Sequence, residues 1–206
     1  MNLSFLIRGL VIGFTVAMVV GPIGVLTIRR TLVHGRVYGL ASGAGVAAAD
    51  GTYGGVAAFG LTAITAILVG IRPALALVGG GFLVWLGLRT LLARPPAREA
   101  SATERPGLAA AFGSIYALTM TNPMTILSFA AIFAGFGLSG GLPGEAALLT
   151  LGVFVGSLAW WIVLTTAIGI VRDRVTPDVL VWLNRLSGGI LIAFGLASLG
   201  VALGII

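Results

Sequence analysis

Six apolar stretches, each long enough to cross a lipid bilayer, are the feature that most constrains this chain of 206 residues. A bilayer core of about 30 Å requires about 20 consecutive apolar residues in a spanning helix. The stretches run approximately from Leu10 to Ile28, Val37 to Leu61, Ala74 to Leu92, Leu108 to Leu138, Ala146 to Val171 and Val179 to Ile206. Charged residues make up 9% of the chain, against about 25% in globular proteins. The sequence therefore predicts an all-α integral membrane protein of six transmembrane helices.

The arginines indicate how these helices are oriented. Ten of them follow the first, third and fifth stretches: Arg29, Arg30, Arg36, Arg89, Arg94, Arg98, Arg105, Arg172, Arg174 and Arg185. On the opposite side stand Arg8 and Arg72. Because cytoplasmic connections are enriched in basic residues, we expect the ten in the cytoplasm and both termini outside. The net charge of +6 is not a nucleic-acid signal, since these arginines do not form one soluble face.

The two halves of the chain resemble each other. A polar segment, 94–107, reads as a cytoplasmic linker between repeat 1 (1–93) and repeat 2 (108–206) of a single transporter domain. A shift of 108 residues lays Gly80 on Gly188 and Gly87 on Gly195; a shift of 107 lays Gly45, Val46 and Asp50 on Gly152, Val153 and Ser157. Three spans per half invert the second copy in the membrane. Inverted repeats are typical of alternating-access transporters, whose site lies where the repeats meet.

Two proline motifs predict broken helices. Gly21-Pro22 lies in the first span and Thr121-Asn122-Pro123 lies in the fourth, and a shift of 101 relates the prolines. Proline ends one helical segment and is favoured at the first position of the next. A helix that begins inside the bilayer presents unpaired amides and the positive end of its dipole. We therefore expect a substrate carboxylate to bind there, although ordinary proline kinks are the alternative.

Asp50 is the acidic residue that lies deep within a span. An ionised carboxylate at membrane depth costs about 2.5 to 3.5 kcal/mol on insertion scales, so such residues usually have a function. Asp50 could bind a substrate ammonium, accept a coupling proton or make a structural hydrogen bond. Ser157, Trp160 and Trp161 are candidates to line a cavity. Gly39 with Gly43, and Gly51 with Gly55, predict close helix packing within or between protomers, which leaves a homo-oligomer open.

The chain resembles the LysE/RhtB family of bacterial amino-acid exporters. The resemblance is carried by VVGPIGVLTIRRTLVHGR, GAGVAAADG, GGGFLVWLGLRTLL, LTMTNPMTILSF and WLNRLSGGILIAFGLASLG. It implies a transporter of the bacterial inner membrane that exports amino acids or close derivatives by proton-driven secondary transport or antiport. It also implies motif roles for Gly21, Pro22, Asp50, Asn122 and Pro123. The direction of transport rests on the resemblance alone.

Other functions remain as alternatives. An exporter of another metabolite or of inorganic cations is one; no cysteine and one histidine disfavour transition metals. A scaffold subunit that transports nothing is another. An enzyme is not expected, because no paired base and nucleophile or metal cluster is visible at membrane depth. We expect no cofactor, no nucleic-acid partner, and an amino acid and the lipid bilayer as the molecules in contact with the chain.

Overall fold

The computed structural model describes residues 3–18, 21–59, 67, 70–92, 107–122, 125–126, 128–129, 142–172 and 176–205. Within these ranges the chain forms seven helices and no strand. The helices are α1 (Ser4–Met18), α2 (Pro22–His34), α3 (Arg36–Ala58), α4 (Arg72–Leu91), α5 (Leu108–Met120), α6 (Pro143–Val171) and α7 (Pro177–Ala202). The prediction of an all-α protein is confirmed.

Three of the described helical stretches are long and apolar enough to cross a membrane: Pro73–Leu91, Pro143–Val171 and Asn184–Ala202. A fourth candidate is the pair α1 and α2, whose axes differ by 77°. These two helices reach from Ser4 to His34 and so extend beyond the predicted first span, Leu10 to Ile28, at both ends. The total of six spans stays a prediction, and most of the predicted linker, 94–106, lies outside the described residues.

Prolines and one glycine set several helix boundaries. Pro22, Pro143 and Pro177 open α2, α6 and α7, where their fixed φ suits the first turn and their missing amide is not needed. Gly35 joins α2 directly to α3 with a φ of 99°, a conformation that side chains with a Cβ rarely adopt. The end of α2 is therefore tied closely to the start of α3.

Two helix pairs pack backbone to backbone through glycines. In the parallel pair α1 and α6, a Cβ at Gly9 or Gly13 would collide with the carbonyl oxygens of Leu149 or Val153. In the antiparallel pair α4 and α7, a Cβ at Gly80 would lie 2.9 Å from the carbonyl oxygen of Gly195. One at Gly87 would lie 2.8 Å from that of Gly188. Small residues allow this close approach in membrane proteins.

The remaining helices pack around α3, which lies against α6 and α5. The ring of Trp161 covers Gly43, and Phe154 of α6 covers Gly51. Gly39 faces Thr31 and Thr165, and Gly55 faces Thr150, all within the same chain. The small-residue spacings in α3 therefore serve packing within the protomer, and oligomerisation stays a prediction.

Candidate functional site

A cavity of about 430 Å³ lies among α1, α2, α3, α5, α6 and α7. Its volume is within the range of about 300 to 1,000 Å³ typical of small-molecule sites. Five of the residues that the sequence singles out line it: Gly21, Pro22, Asp50, Asn122 and Trp161. These residues come from four separate parts of the chain, and the fold brings them to one space.

Asp50 is the acidic residue on the cavity wall. Its side chain is 2% exposed and belongs to the middle of α3. The Ser157 hydroxyl of α6 donates a hydrogen bond of 2.7 Å to the carboxylate oxygen Oδ2 of Asp50. Ser157 is fully buried, so this contact is shielded from solvent. The sequence predicted that Ser157 lines the cavity, but it is not among the described lining residues; it donates to Asp50, which does line it.

The start of α2 forms another part of the wall. Gly21 is the N-cap, in an extended conformation and without a side-chain cap, and Pro22 is the first helical residue. Gly21, Pro22, Ile23 and Gly24 all line the cavity. The first-turn amides of a helix have no partner within the helix, and its dipole is positive at this end. The geometry suits a negatively charged group in the cavity.

The second motif also interrupts a helix. α5 ends at Met120, and the amides of Thr125 and Ile126 donate to the carbonyl oxygen of Asn122 at 3.1 and 3.3 Å, as in a first helical turn. Asn122 lines the cavity. Pro123 lies outside the described residues.

Thr121 takes a different position from Asn122. Its hydroxyl donates to the carbonyl oxygens of Ala117 and Leu118, at 3.0 and 3.2 Å, and so closes the last turn of α5. It borders a void of about 10 Å³ that Pro22 and Asn122 also border.

The two tryptophans of α6 have different neighbours. Trp161 is 3% exposed and lines the cavity, and no described residue accepts a hydrogen bond from its Nε1. Trp160 instead meets the ring of Phe14 of α1 edge-on, with 5.5 Å between ring centroids. Aromatic pairs favour this arrangement. Trp161 is therefore the tryptophan that contributes to the cavity wall.

Several lining residues did not emerge from the sequence. Thr119, Thr125 and Ser128 line the cavity around Asn122. Together with Asn122 they form a series of polar residues at every third position, and this series is a signal that could have revealed them. Thr15 of α1 and Phe194 of α7 carry no comparable signal. Tyr53 also went unnoticed: its hydroxyl donates to the carbonyl oxygen of Met120, the last residue of α5, at 2.6 Å.

Three arginines tie α2 to its neighbours at the end of the helix far from Pro22. Arg29 Nε donates to Asn184 Oδ1 of α7 at 2.7 Å. Arg30 donates to the Ser42 and Ser114 hydroxyls and to the Ala111 carbonyl oxygen, at 3.0 to 3.1 Å. Arg172, the C-cap residue directly after α6, donates to the carbonyl oxygens of Leu32 and Val33. Basic groups are favourable at the C-terminal end of a helix.

The described residues contain no group of three or more His, Cys, Asp or Glu side chains that could hold a metal ion. The carboxylate of Asp50 meets a hydroxyl, which is a neutral partner.

Comparison with known proteins identifies the family. A family model described as LysE type translocator matches residues 14–200. The chain belongs to this family. The resemblance seen in the sequence motifs is thereby confirmed.

Two curated relatives of this LysE type translocator are similar over most of its length. "Putative amino acid efflux protein YcgF" of Bacillus subtilis (strain 168) is 25% identical over 197 residues, which cover 90% of each chain. "Uncharacterized membrane protein YahN" of Escherichia coli (strain K12) is 28% identical over 153 residues, 72% of this chain and 68% of the relative. No solved structure matches the chain. The family match and the candidate membrane spans support a multi-pass membrane transporter.

Proposed function

We propose that this LysE type translocator is a secondary active transporter that exports amino acids across the bacterial inner membrane, driven by the proton-motive force. The observation that carries the proposal is the cavity in which Asp50 and the two helix interruptions, at Gly21-Pro22 and Asn122, meet. An amino acid carries one ammonium and one carboxylate. The cavity offers a carboxylate for the first, and helix-start amides and hydroxyl donors for the second.

The lining suggests neutral amino acids as substrates. Asp50 is the single ionisable side chain among the described lining residues, so a basic amino acid would bring a second cation without a second partner. Val16, Ala17, Val46 and Phe194 supply apolar wall, which suits a small or aliphatic side chain. The coupling proton and the substrate ammonium are both assigned to Asp50, which would bind them in turn.

Reciprocal helix contacts support an inverted repeat. Gly80 and Gly87 correspond to Gly188 and Gly195 by sequence. A Cβ at Gly80 would meet the carbonyl oxygen of Gly195, and a Cβ at Gly87 would meet that of Gly188. Such exchange of equivalent contacts is the mark of a two-fold relation. α1 runs parallel to α6, and α4 runs antiparallel to α7. Both ends of the described chain then lie opposite the Arg29, Arg30 and Arg172 cluster, in agreement with a cytoplasmic cluster and external termini.

Counterflow in proteoliposomes tests the proposed function. Vesicles loaded with one unlabelled amino acid at a time are assayed for uptake of the same labelled amino acid, through all twenty. We expect exchange of neutral aliphatic amino acids and none of lysine, arginine or glutamate. Exchange of basic amino acids alone would contradict the proposed substrate class. No exchange of any amino acid by folded protein would favour another metabolite, a cation or a scaffold function.

Replacing Asp50 tests its role directly. Asp50→Asn removes the charge with little change in shape, and we expect exchange to fall to the level of protein-free vesicles. Asp178→Asn is the matched control, since Asp178 is exposed in the first turn of α7 and lies outside the cavity. Wild-type exchange in Asp50→Asn would remove Asp50 from the mechanism. Size-exclusion profiles in detergent would verify that both variants are folded.

A further inference from the structure

Asp50 and Ser157 occupy equivalent positions in the two halves of the chain, and they touch. The shift of 107 residues that relates Gly45 and Val46 to Gly152 and Val153 also relates Asp50 to Ser157. In the fold, the Ser157 hydroxyl donates to Asp50 Oδ2 at 2.7 Å. Two equivalent residues of a two-fold arrangement can meet only on or near the axis that relates them. The carboxylate of the cavity therefore lies close to that axis.

The helices that carry Asp50 and Ser157, α3 and α6, also pack in equivalent ways against the first helix of the other half. A Cβ at Gly45 of α3 would lie 2.5 Å from the carbonyl oxygen of Phe112 in α5, the first helix of the second half. A Cβ at Gly152 of α6 would collide with the carbonyl oxygen of Leu6 in α1, the first helix of the first half. Leu6 and Phe112 are separated by nearly the same shift as the two glycines. The backbones that hold positions 50 and 157 thus have equivalent surroundings.

We propose that positions 50 and 157 are interchangeable, and that Ser157 is a positioning residue for the carboxylate. This inference rests on the proposed transport function. The site requires one carboxylate and one hydroxyl facing each other near the two-fold axis, and either half can supply either group. Ser157 acts through Asp50: its hydroxyl fixes the carboxylate in one orientation toward the cavity. The axis of an inverted repeat lies in the membrane plane, so a carboxylate near it lies near the bilayer midplane, where transporters of this architecture place their sites.

The decisive variant exchanges the two side chains. Asp50→Ser combined with Ser157→Asp restores the pair with its members reversed, whereas Asp50→Ser alone leaves two hydroxyls. A third variant, Asp50→Ser with Thr125→Asp, places the carboxylate elsewhere on the same cavity wall. We expect the exchanged pair to recover amino-acid counterflow to within about tenfold of the wild type, because a hydrogen bond of imperfect geometry to a charged group accounts for a loss of about that size. The other two variants should stay at background.

Removing the hydroxyl tests the positioning role. Ser157→Ala should lower counterflow about tenfold or more, and Ser157→Thr, which keeps the hydroxyl, should restore most of it. If Ser157 had a purely structural role, Ser157→Ala should be tolerated better than Ser157→Thr, because the position is fully buried and Thr is larger than Ser. Ser157→Ala with wild-type activity would overturn the positioning role.

Thermal melting in detergent tests the pair without transport. The exchanged protein should melt close to the wild type, whereas Ser157→Asp alone, which sets two carboxylates against each other, should melt lower. Suppose that the wild type shows counterflow, whereas the exchanged variant is folded but no more active than Asp50→Ser. This result would overturn the interchange and leave the proposed function standing. An inactive wild type would overturn the proposed function. Separately, a melting temperature of the exchanged protein no higher than that of Ser157→Asp would overturn the equivalence of positions 50 and 157.

Discussion

Arg30 links three helices with one side chain. Its guanidinium reaches from α2 to Ser42 of α3 and to Ala111 and Ser114 of α5, through three hydrogen bonds. The planar group with its several donors is suited to such multiple contacts, and a lysine ammonium at the same place could not reproduce the fork. Burial also lowers the hydration of the group, so these bonds replace water that is no longer available.

Removal of this side chain should destabilise the protein. We expect Arg30→Ala to lower the free energy of unfolding by about 2 kcal/mol, since hydrogen bonds from charged groups contribute about 1.5 to 3 kcal/mol. Arg36→Ala is the control, because Arg36 is exposed at the start of α3. Melting in detergent measures both. Equal melting temperatures for the two variants would contradict the bridging role of Arg30.

Single residues were predictable where their chemistry conflicts with a membrane. Asp50 stood out because a carboxylate is costly there, and Pro22 because it ends a helical hydrogen-bond pattern. Both line the cavity. Phe194 and Val16 were not predictable, since an apolar residue that faces a cavity has the same chemistry as one that faces lipid. Asn184 was missed for another reason: its partner Arg29 lies 155 residues away in the chain.

Among the elements, α4 and α7 pack closely enough to restrict substitution at their interface. Each presents glycines to the backbone of the other, and a Cβ at Gly188 would lie 2.7 Å from the carbonyl oxygen of Gly87. The neighbouring Gly189 has open space where a Cβ would be. The two adjacent glycines therefore differ in function although they look alike in the sequence.

This difference yields a paired prediction. Gly188→Ala should force α4 and α7 apart and cost about 1 to 3 kcal/mol, the usual range for overpacking. Gly189→Ala should leave stability unchanged or raise it by up to about 1 kcal/mol, because alanine favours helix more than glycine does. Chemical denaturation in mixed micelles compares them. A Gly189→Ala protein that is the less stable of the two would contradict the described interface.

Element boundaries were predictable to different degrees. The start of α2 at Pro22 follows from its missing amide. The sequence did not reveal that α1 and α2 diverge by 77°, because a proline marks an interruption without fixing its angle. The end of α5 at Met120 was predictable, since the Thr121-Asn122-Pro123 motif that follows predicts an interruption within the stretch Leu108 to Leu138.

At the scale of the whole molecule, the two halves interlock. α1 of the first half packs on α6 of the second, α3 packs on α5 and α6, and α4 packs on α7. The glycine faces of either half are thus covered mainly by the other half. In a half expressed alone, these glycine faces would lack the helices that cover them and would be exposed to lipid.

Separation of the halves should show this dependence. Two chains, 1–100 and 101–206, divided within the predicted linker, should each be degraded when expressed alone. When expressed together, they should purify as a complex that retains amino-acid counterflow. Affinity purification through a tag on one chain measures the association. A first half that is stable and monodisperse alone would contradict the interlocked packing.

The parallel pairing of α1 with α6 has a consequence for biogenesis. A ribosome delivers α1 to the membrane long before Gly152 and Gly156, the residues that pack against it, have been made. Until more than half of the chain has been made, the glycine face of α1 lies in lipid, in the translocon or against an insertase. α1 therefore reaches these contacts only after α6 has been made, and synthesis that stops before α6 leaves α1 without this partner.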